Sequence, residues 1–318
     1  MYTYVCIIYI KANHINIKMY LYHILSILFM FRVFTHYSNH RSYLPLHLKM
    51  QTENMLPIYR KKRYDTMLIT RRDNKTYNTN TIDQFLLNNP TIQDKKIITI
   101  SPGGYKGFYM MGIVHFLKKQ YNLSNYVFSG ASAGAWNSLL MSFKYDTTAF
   151  KYHIMDDAIQ NAKSISDMEQ LFKYKLLHYY KTDDFDLDKL FIGATAIKHN
   201  HPHTIIYTQF ATLEDAIDCC IASSHIPWLT GNFTHKYNNM LTFDGGFSKH
   251  PYLNISKPVL HITPSLWIPP KPTSMKKIHD YTTLFSKDLY QFDEIYDAGY
   301  ADSYKNKEVL DEIFESAL

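Results

Sequence analysis

Three short stretches of this sequence hold residues whose types and spacing can do chemistry. Gly130, Ala131, Ser132, Ala133 and Gly134 spell G-x-S-x-G, the pattern of a serine forced into a sharp turn between a strand and a helix. Such a turn crowds the neighbouring backbone, so positions 130 and 134 must be glycine or very small. It also presents the hydroxyl above a sheet, where it can attack an ester carbonyl. A helix beginning at Ala133 points its amides toward the oxygen that becomes negative during that attack. The pattern also arises by chance, so a catalytic turn and a plain one both remain open at this point.

A second stretch, Pro102, Gly103, Gly104, Tyr105, Lys106 and Gly107, offers side-chain-free amides suited to an oxyanion hole. It lacks the spacings of dinucleotide and nucleotide-phosphate loops, and a simple tight turn is the plain alternative. In the third, Asp244 is followed by Gly245 and Gly246, which let the backbone fold away so that the carboxylate can approach a serine hydroxyl. An aspartate with a solution pKa near ~3.9 is a weak base and needs partial desolvation for that task.

Sixteen histidines suggest other chemistry. His199, His201 and His203 share a polar turn, where a metal site competes with ordinary solvent exposure, the commoner fate. His250, His261 and His279 follow Asp244, an order that suits a Ser-Asp-His triad, although His261 sits in an apolar strand and reads as core.

The elements that must position these residues are visible in the apolar pattern. Ile97, Ile98, Thr99 and Ile100 read as a buried parallel strand, and Gly107 to Gln120 as a helix ending in Lys118 and Lys119. Tyr126 to Phe128 form a second strand, Ser129 to Gly134 a tight turn, and Ala135 to Phe143 a second helix. Two successive βα units imply a parallel sheet. Residues 147–181 read as two amphipathic helices that cap the site, with Met168, Leu171, Phe172, Leu176 and Leu177 at helical spacing. Leu190 to Ile197 and Thr204 to Phe210 form a strand pair around the turn at His199 to His203, and Leu213 to Ser223 a helix. Strands are expected at Met240 to Phe243 and Val259 to Thr263. Pro269, Pro270 and Pro272 mark a linker into carboxy-terminal helices.

Composition sets outer limits. With 318 residues, 46% hydrophobic and 19% charged, the chain is an ordinary globular one built around a single large core. A net charge of +6 on scattered basic residues suits an anionic lipid surface but accompanies no nucleic-acid-binding module. Cys6, Cys219 and Cys220 offer no disulfide framework, which points to a reducing compartment. The apolar run from Met19 to Phe31 is short of the ~20 residues a membrane span needs, and Met50 is a plausible start.

Taken together, the three stretches resemble, in order, the patatin-like phospholipase family. The resemblance covers roughly residues 95–262 and takes in Leu190 to Thr195, Glu214 to Ala216 and Ala222 to Pro227 as well. It implies an α/β fold: a three-layer α/β/α patatin-like core with a mostly parallel central sheet. The organisation expected is an amino-terminal extension over 1–55, a catalytic domain over 90–265 and a helical extension over 266–318. It also implies a lipid acyl hydrolase, working through an acyl-enzyme on a Ser132–Asp244 dyad. Gly103, Gly104 and Ala133 would form the oxyanion hole, supported by Lys106, Gly107, Gly130, Gly134, Gly245 and Gly246. No metal and no cofactor is called for. The partner expected is a lipid or membrane surface and no nucleic acid, a protein activator being left open; the location expected is cytoplasmic with peripheral membrane association. Two departures from the family pattern stand out. Pro102 replaces the first loop glycine and has no N–H, and His250 stands before Pro251 where asparagine is usual. They keep two rivals in view, a histidine triad and a decayed lipid-binding scaffold.

Overall fold

The computed structural model describes residues 66–71, 77–198, 201–248, 250–268 and 284–315. The stretch 1–55 with its apolar run, the proline cluster, His199 and His279 lie outside the described residues. In chain order the strands are β1 (Thr66–Arg71), β2 (Tyr77–Asn80), β3 (Lys96–Ile100), β4 (Tyr126–Gly130), β5 (Leu190–Lys198), β6 (His201–Thr208), β7 (His235–Tyr237), β8 (Met240–Phe243) and β9 (Leu260–Ile262). The helices are α1 (Ile82–Asn88), α2 (Pro90–Gln93), α3 (Gly107–Gln120), α4 (Ala133–Ser142), α5 (Thr147–Ile154), α6 (Asp157–Gln160), α7 (Ile165–Tyr179), α8 (Leu213–Ser223), α9 (Phe292–Lys305) and α10 (Lys307–Glu315).

The sheet runs β2-β1-β6-β5-β4-β3-β9. Parallel pairing joins β9, β3, β4 and β5, and again β1 and β6; only β1 with β2 and β5 with β6 are antiparallel along this path. Alternate residues of the central strands pack into two separate clusters, as a period of two requires. Ile98, Ile100, Phe128, Ile192 and Ala194 enter the larger one, whereas Ile97, Val127 and Phe191 join Leu68, Phe85 and Leu253 on the opposite face. The sheet is therefore covered on both sides, giving the three layers. The coverage is unequal: α3, α4 and α8 pack one face, and the short α1 and α2 supply Phe85 and Ile92 to the other.

Two details differ from the sequence reading. The cap at 147–181 contains three helices, because the short α6 intervenes, with Asp156 accepting at its amino end from the Ile159 N–H. The polar turn expected at His199 to His203 is narrower. Strand β6 already begins at His201, pairs antiparallel from Lys198↔His201 to Phe191↔Thr208, and so carries His201 and His203. Among the described residues no group of three or more His, Cys, Asp or Glu side chains is close enough to hold a metal ion.

The carboxy-terminal helix α9 lies against α3 at very close range. A Cβ on Gly112 would meet the Tyr296 carbonyl oxygen at 2.0 Å, and one on Gly299 would meet that of Tyr109 at 2.0 Å. Phe292 stacks on Phe108 with centroids 4.2 Å apart, and the Tyr109 hydroxyl donates to Asp302 at 2.9 Å.

Candidate active site

Strand register explains why Ser132 and Asp244 meet. One edge of β5 is occupied by β6 from Phe191 to Lys198. On its other edge β4 pairs with residues 190–192, ending at Gly130↔Ile192, while β8 pairs with 195–197, ending at Thr195↔Phe243. The two strands therefore approach each other end to end along β5, with Gly193 between them. Ser132 lies just past the end of β4 and Asp244 just past the end of β8, so both enter the same gap.

The turn at Ser132 is strained. Its φ of 55° and ψ of −129° place a non-glycine residue in sparsely populated territory, a cost of about 1–3 kcal/mol that surrounding packing must hold in place. That packing leaves no room beside it. A Cβ at Gly130 would lie 2.0 Å from the Gly134 carbonyl oxygen, and one at Gly134 would lie 2.1 Å from that of Ile100. The Ser132 N–H donates to Ser223 Oγ at 2.8 Å, and the Ser223 hydroxyl donates to the Gly193 carbonyl at 2.7 Å. Two residues on, the His225 carbonyl accepts from the Asp244 N–H at 2.7 Å. One short segment at the carboxy-terminal end of α8 thus fixes the backbone of both residues.

The Asp244 carboxyl is held and tuned from several directions. Its Oδ1 accepts from the Gly246 N–H at 2.6 Å, and the Ser132 hydroxyl lies near enough to favour the ionised carboxyl. Burial pushes its pKa up to about 6, against the opposing pull of the Ser132 hydroxyl and the Gly246 N–H. Gly245 presses on the Gly193 carbonyl, where a Cβ would come within 2.3 Å. Thr195 Oγ1 donates to the Asp244 carbonyl at 3.0 Å and lies 2.7 Å from Ser248 Oγ. The loop is supported by these groups, and His250 is exposed.

Ser132 and Asp244 line one chamber with Gly104, Gly107 and Ala133. Its remaining wall is largely apolar, with Phe108, Leu139 and Leu140 on the core side and Phe150, Ile154, Ile165, Met168, Phe172 and Leu176 on the cap side. Gly103 and Lys106 stay outside the lining, while Gly130, Gly134, Gly245 and Gly246 lie beneath it as spacers. Among the described residues, no protein group accepts from the amides of Gly103, Gly104 or Ala133. None of the described histidines lines the chamber. His261 hydrogen-bonds Thr99 Oγ1 through Nδ1 at 2.8 Å, and burial lowers its pKa to about 4.

Residues 98–253 match the family model described as patatin-like phospholipase. These residues belong to the patatin-like phospholipase family. The patatin-like region contains Ser132, Asp244, the glycine loop, the cap helices and the Ser223–His225 segment. Among solved structures the chain is similar to VipD from Legionella pneumophila, with 14% identity and a TM-score of 0.30 over 62% of this chain and 52% of that one. The aligned part thus spans about half of that protein's length. No curated protein matches the chain.

Sequence reasoning missed two members of the patatin-like chamber. Glu169 lines it with a fully buried carboxyl, and Trp136 lines it beside Ser224, to whose Oγ its Nε1–H donates at 3.1 Å. The signal for Glu169 was present: positions 165, 168, 169, 172 and 176 form a helical stripe, and 169 is the only ionisable residue on it.

Proposed function

We propose that this chain hydrolyses fatty-acyl esters of phospholipids or neutral lipids, with Ser132 as nucleophile and Asp244 as its base. The observation that carries the reading is that Ser132, on its strained turn, and the buried Asp244 carboxyl meet at the wall of one apolar chamber. The acyl chain lies among Phe108, Leu140, Ile154 and Phe172, and the ester carbonyl reaches Ser132. Asp244 takes the hydroxyl proton as Oγ bonds to the carbonyl carbon. The resulting oxyanion accepts from the unpaired amides of Gly104 and Ala133, with Gly103 adjoining. Each donor of this kind contributes about 3–4 kcal/mol to transition-state binding. Collapse breaks the ester C–O bond, and the proton on Asp244 passes to the departing alkoxide. Water then gives a proton to Asp244 and adds to the acyl carbon; collapse releases the fatty acid and returns the proton to Ser132.

The raised pKa of Asp244 makes it a better base than a solvated aspartate while leaving it mostly ionised at neutral pH. Activity therefore falls on the acid side as pH drops through about 6. Contact with a lipid surface is part of the same proposal. The cap exposes Tyr152 and Tyr174, and Trp228 and Phe233 are exposed on the loop after α8, their rings 4.6 Å apart. Aromatic side chains of this kind favour the boundary between headgroups and acyl chains. Among the described residues no helix is long and apolar enough to cross a membrane.

A fluorophosphonate probe tests the reading. Wild-type protein is expected to label, with labelling lost in Ser132→Ala and strongly slowed in Asp244→Asn. Mass spectrometry of liposomes incubated with wild type is expected to find free fatty acid. Folded wild type that neither labels nor releases fatty acid sinks the proposal.

A further inference from the structure

The reaction above leaves one buried ionisable group without a task. Glu169 is 3% exposed and faces the chamber from a stripe of α7 that is otherwise apolar. Ser224 and Trp136 lie beside its carboxyl, but the Trp136 Nε1–H donates to Ser224 Oγ at 3.1 Å and the Ser224 hydroxyl donates to the Cys220 carbonyl at 2.9 Å. A glutamate kept at such a site for structure alone would ordinarily be paired with a cation. Here the nearby cations are engaged elsewhere. On α7, Lys173 pairs with Glu214 and Asp218 of α8 at 3.0 and 2.7 Å, and Lys175 pairs with Asp156 ahead of α6 at 2.6 Å. On α5, Lys151 pairs with Asp297 at 2.9 Å, and His153 Nδ1 lies 2.9 Å from the Tyr180 hydroxyl. No Lys, Arg or His is among the described residues that line the chamber.

The groups that feel the charge of Glu169 are Asp244 beyond β8, Cys220 on α8 and Tyr105 in the glycine loop. Asp215 and Asp218 of α8 are held by the Tyr237 hydroxyl and by Lys173, and Asp157 of α6 is exposed. Two carboxyls therefore share one apolar enclosure that holds no compensating positive charge among the described residues, and like charges in such a place cannot both ionise cheaply.

We propose that Glu169 is the proton-holding partner of Asp244: the chamber carries one negative charge, Asp244 bears it in the working enzyme, and loss of the Glu169 proton shuts hydrolysis down in alkaline solution. The inference rests on the Ser132–Asp244 reading. A second carboxylate would face the developing oxyanion and would draw water among side chains that hold the acyl chain. Burial, reinforced by the Asp244 charge, pushes the Glu169 pKa up to about 8 against the weaker pull of the neighbouring Ser224 and Trp136 dipoles. Glu169 acts here through Asp244 and through the charge of the enclosure, and is a positioning residue.

The test is the pH profile of kcat/KM for a soluble acyl ester, corrected with Ser132→Ala. Wild type is expected to lose activity by about tenfold between about pH 7 and about pH 9, as a single group titrating near 8 requires. Glu169→Gln, which keeps shape but cannot ionise, is expected to abolish that alkaline fall and leave the acid limb of Asp244 in place. An unchanged alkaline fall in folded Glu169→Gln overturns this role while leaving the dyad intact; absent hydrolysis and labelling in wild type overturn the dyad itself. If Glu169→Gln does not fold, Ser132→Ala, which keeps both carboxyls, supplies the test through infrared spectra with isotope-labelled glutamate. A neutral-acid carboxyl band present at neutral pH and lost in alkali supports the proposal, and its absence at neutral pH overturns it.

Discussion

The turns at the strand ends and the helical cap build the same chamber by opposite means. Around Ser132 and Asp244 nearly every position is fixed by backbone: Gly130, Gly134 and Gly245 sit where any Cβ would strike a carbonyl oxygen within 2.3 Å. Across the chamber, the cap contributes only side chains on a helical stripe, with Glu169 placed among them. The difference separates chemistry from selection. Chemistry depends on a geometry that tolerates almost no substitution, whereas the acyl-binding wall depends on volume and polarity, which change in steps.

Mutations on each side sharpen this contrast. The largest effect is expected from Asp244→Asn, which removes the base and lowers kcat by ~10³–10⁴-fold in ester hydrolysis. A loss of less than tenfold would show that another group serves as base. Next comes Gly130→Ala, whose methyl meets backbone at 2.0 Å; a destabilisation above ~4 kcal/mol in urea titration is expected, because backbone on both sides must move. On the cap, Leu176→Ala removes a buried side chain from the chamber wall and is expected to cost ~2–5 kcal/mol. It should lower kcat/KM for long acyl chains more than for short ones. An equal loss for both lengths would detach the cap from chain selection.

Smaller effects divide the two sides by pH. Asp244 has a folded-state pKa raised by burial, so its contribution to stability is full at low pH and is lost as pH rises through about 6. Asp244→Asn, though inactive, is therefore expected to be the more stable protein at neutral pH, by about 3 kcal/mol for a shift of roughly two pH units. That advantage should vanish below about pH 4, as thermal melts across the pH range would show. The smallest effect belongs to Trp136→Phe, which deletes one hydrogen bond to Ser224 and should cost ~1 kcal/mol.

The same contrast explains how much could be read from the sequence. Helices α3 and α8 fall at the boundaries that their apolar spacing and flanking residues set, and β3 and β4 follow from β-branched and aromatic runs. The glycine-flanked turns stand out because backbone constraint shows directly in residue type. What was less legible depends on pairing distant in sequence. Strands β1 and β2 lie before the first clear motif, and their side-chain pattern gives no cue that β1 joins β6 in parallel. The meeting of β4 and β8 on one edge of β5 is a matter of register alone, so the proximity of Ser132 and Asp244 could be expected only through family likeness. Glu169 escaped notice because one acidic residue in an amphipathic helix ordinarily faces water.

The glycine-to-backbone crossing of α3 and α9 bears on how this protein can be cut. Residues 98–253 alone would strip Phe292 from Phe108 and Asp302 from Tyr109, and would bare the side of α3 that leads directly from the oxyanion loop. A soluble fragment for biochemistry should accordingly extend through Phe314, which stacks on Tyr121 at the far end of the same helix.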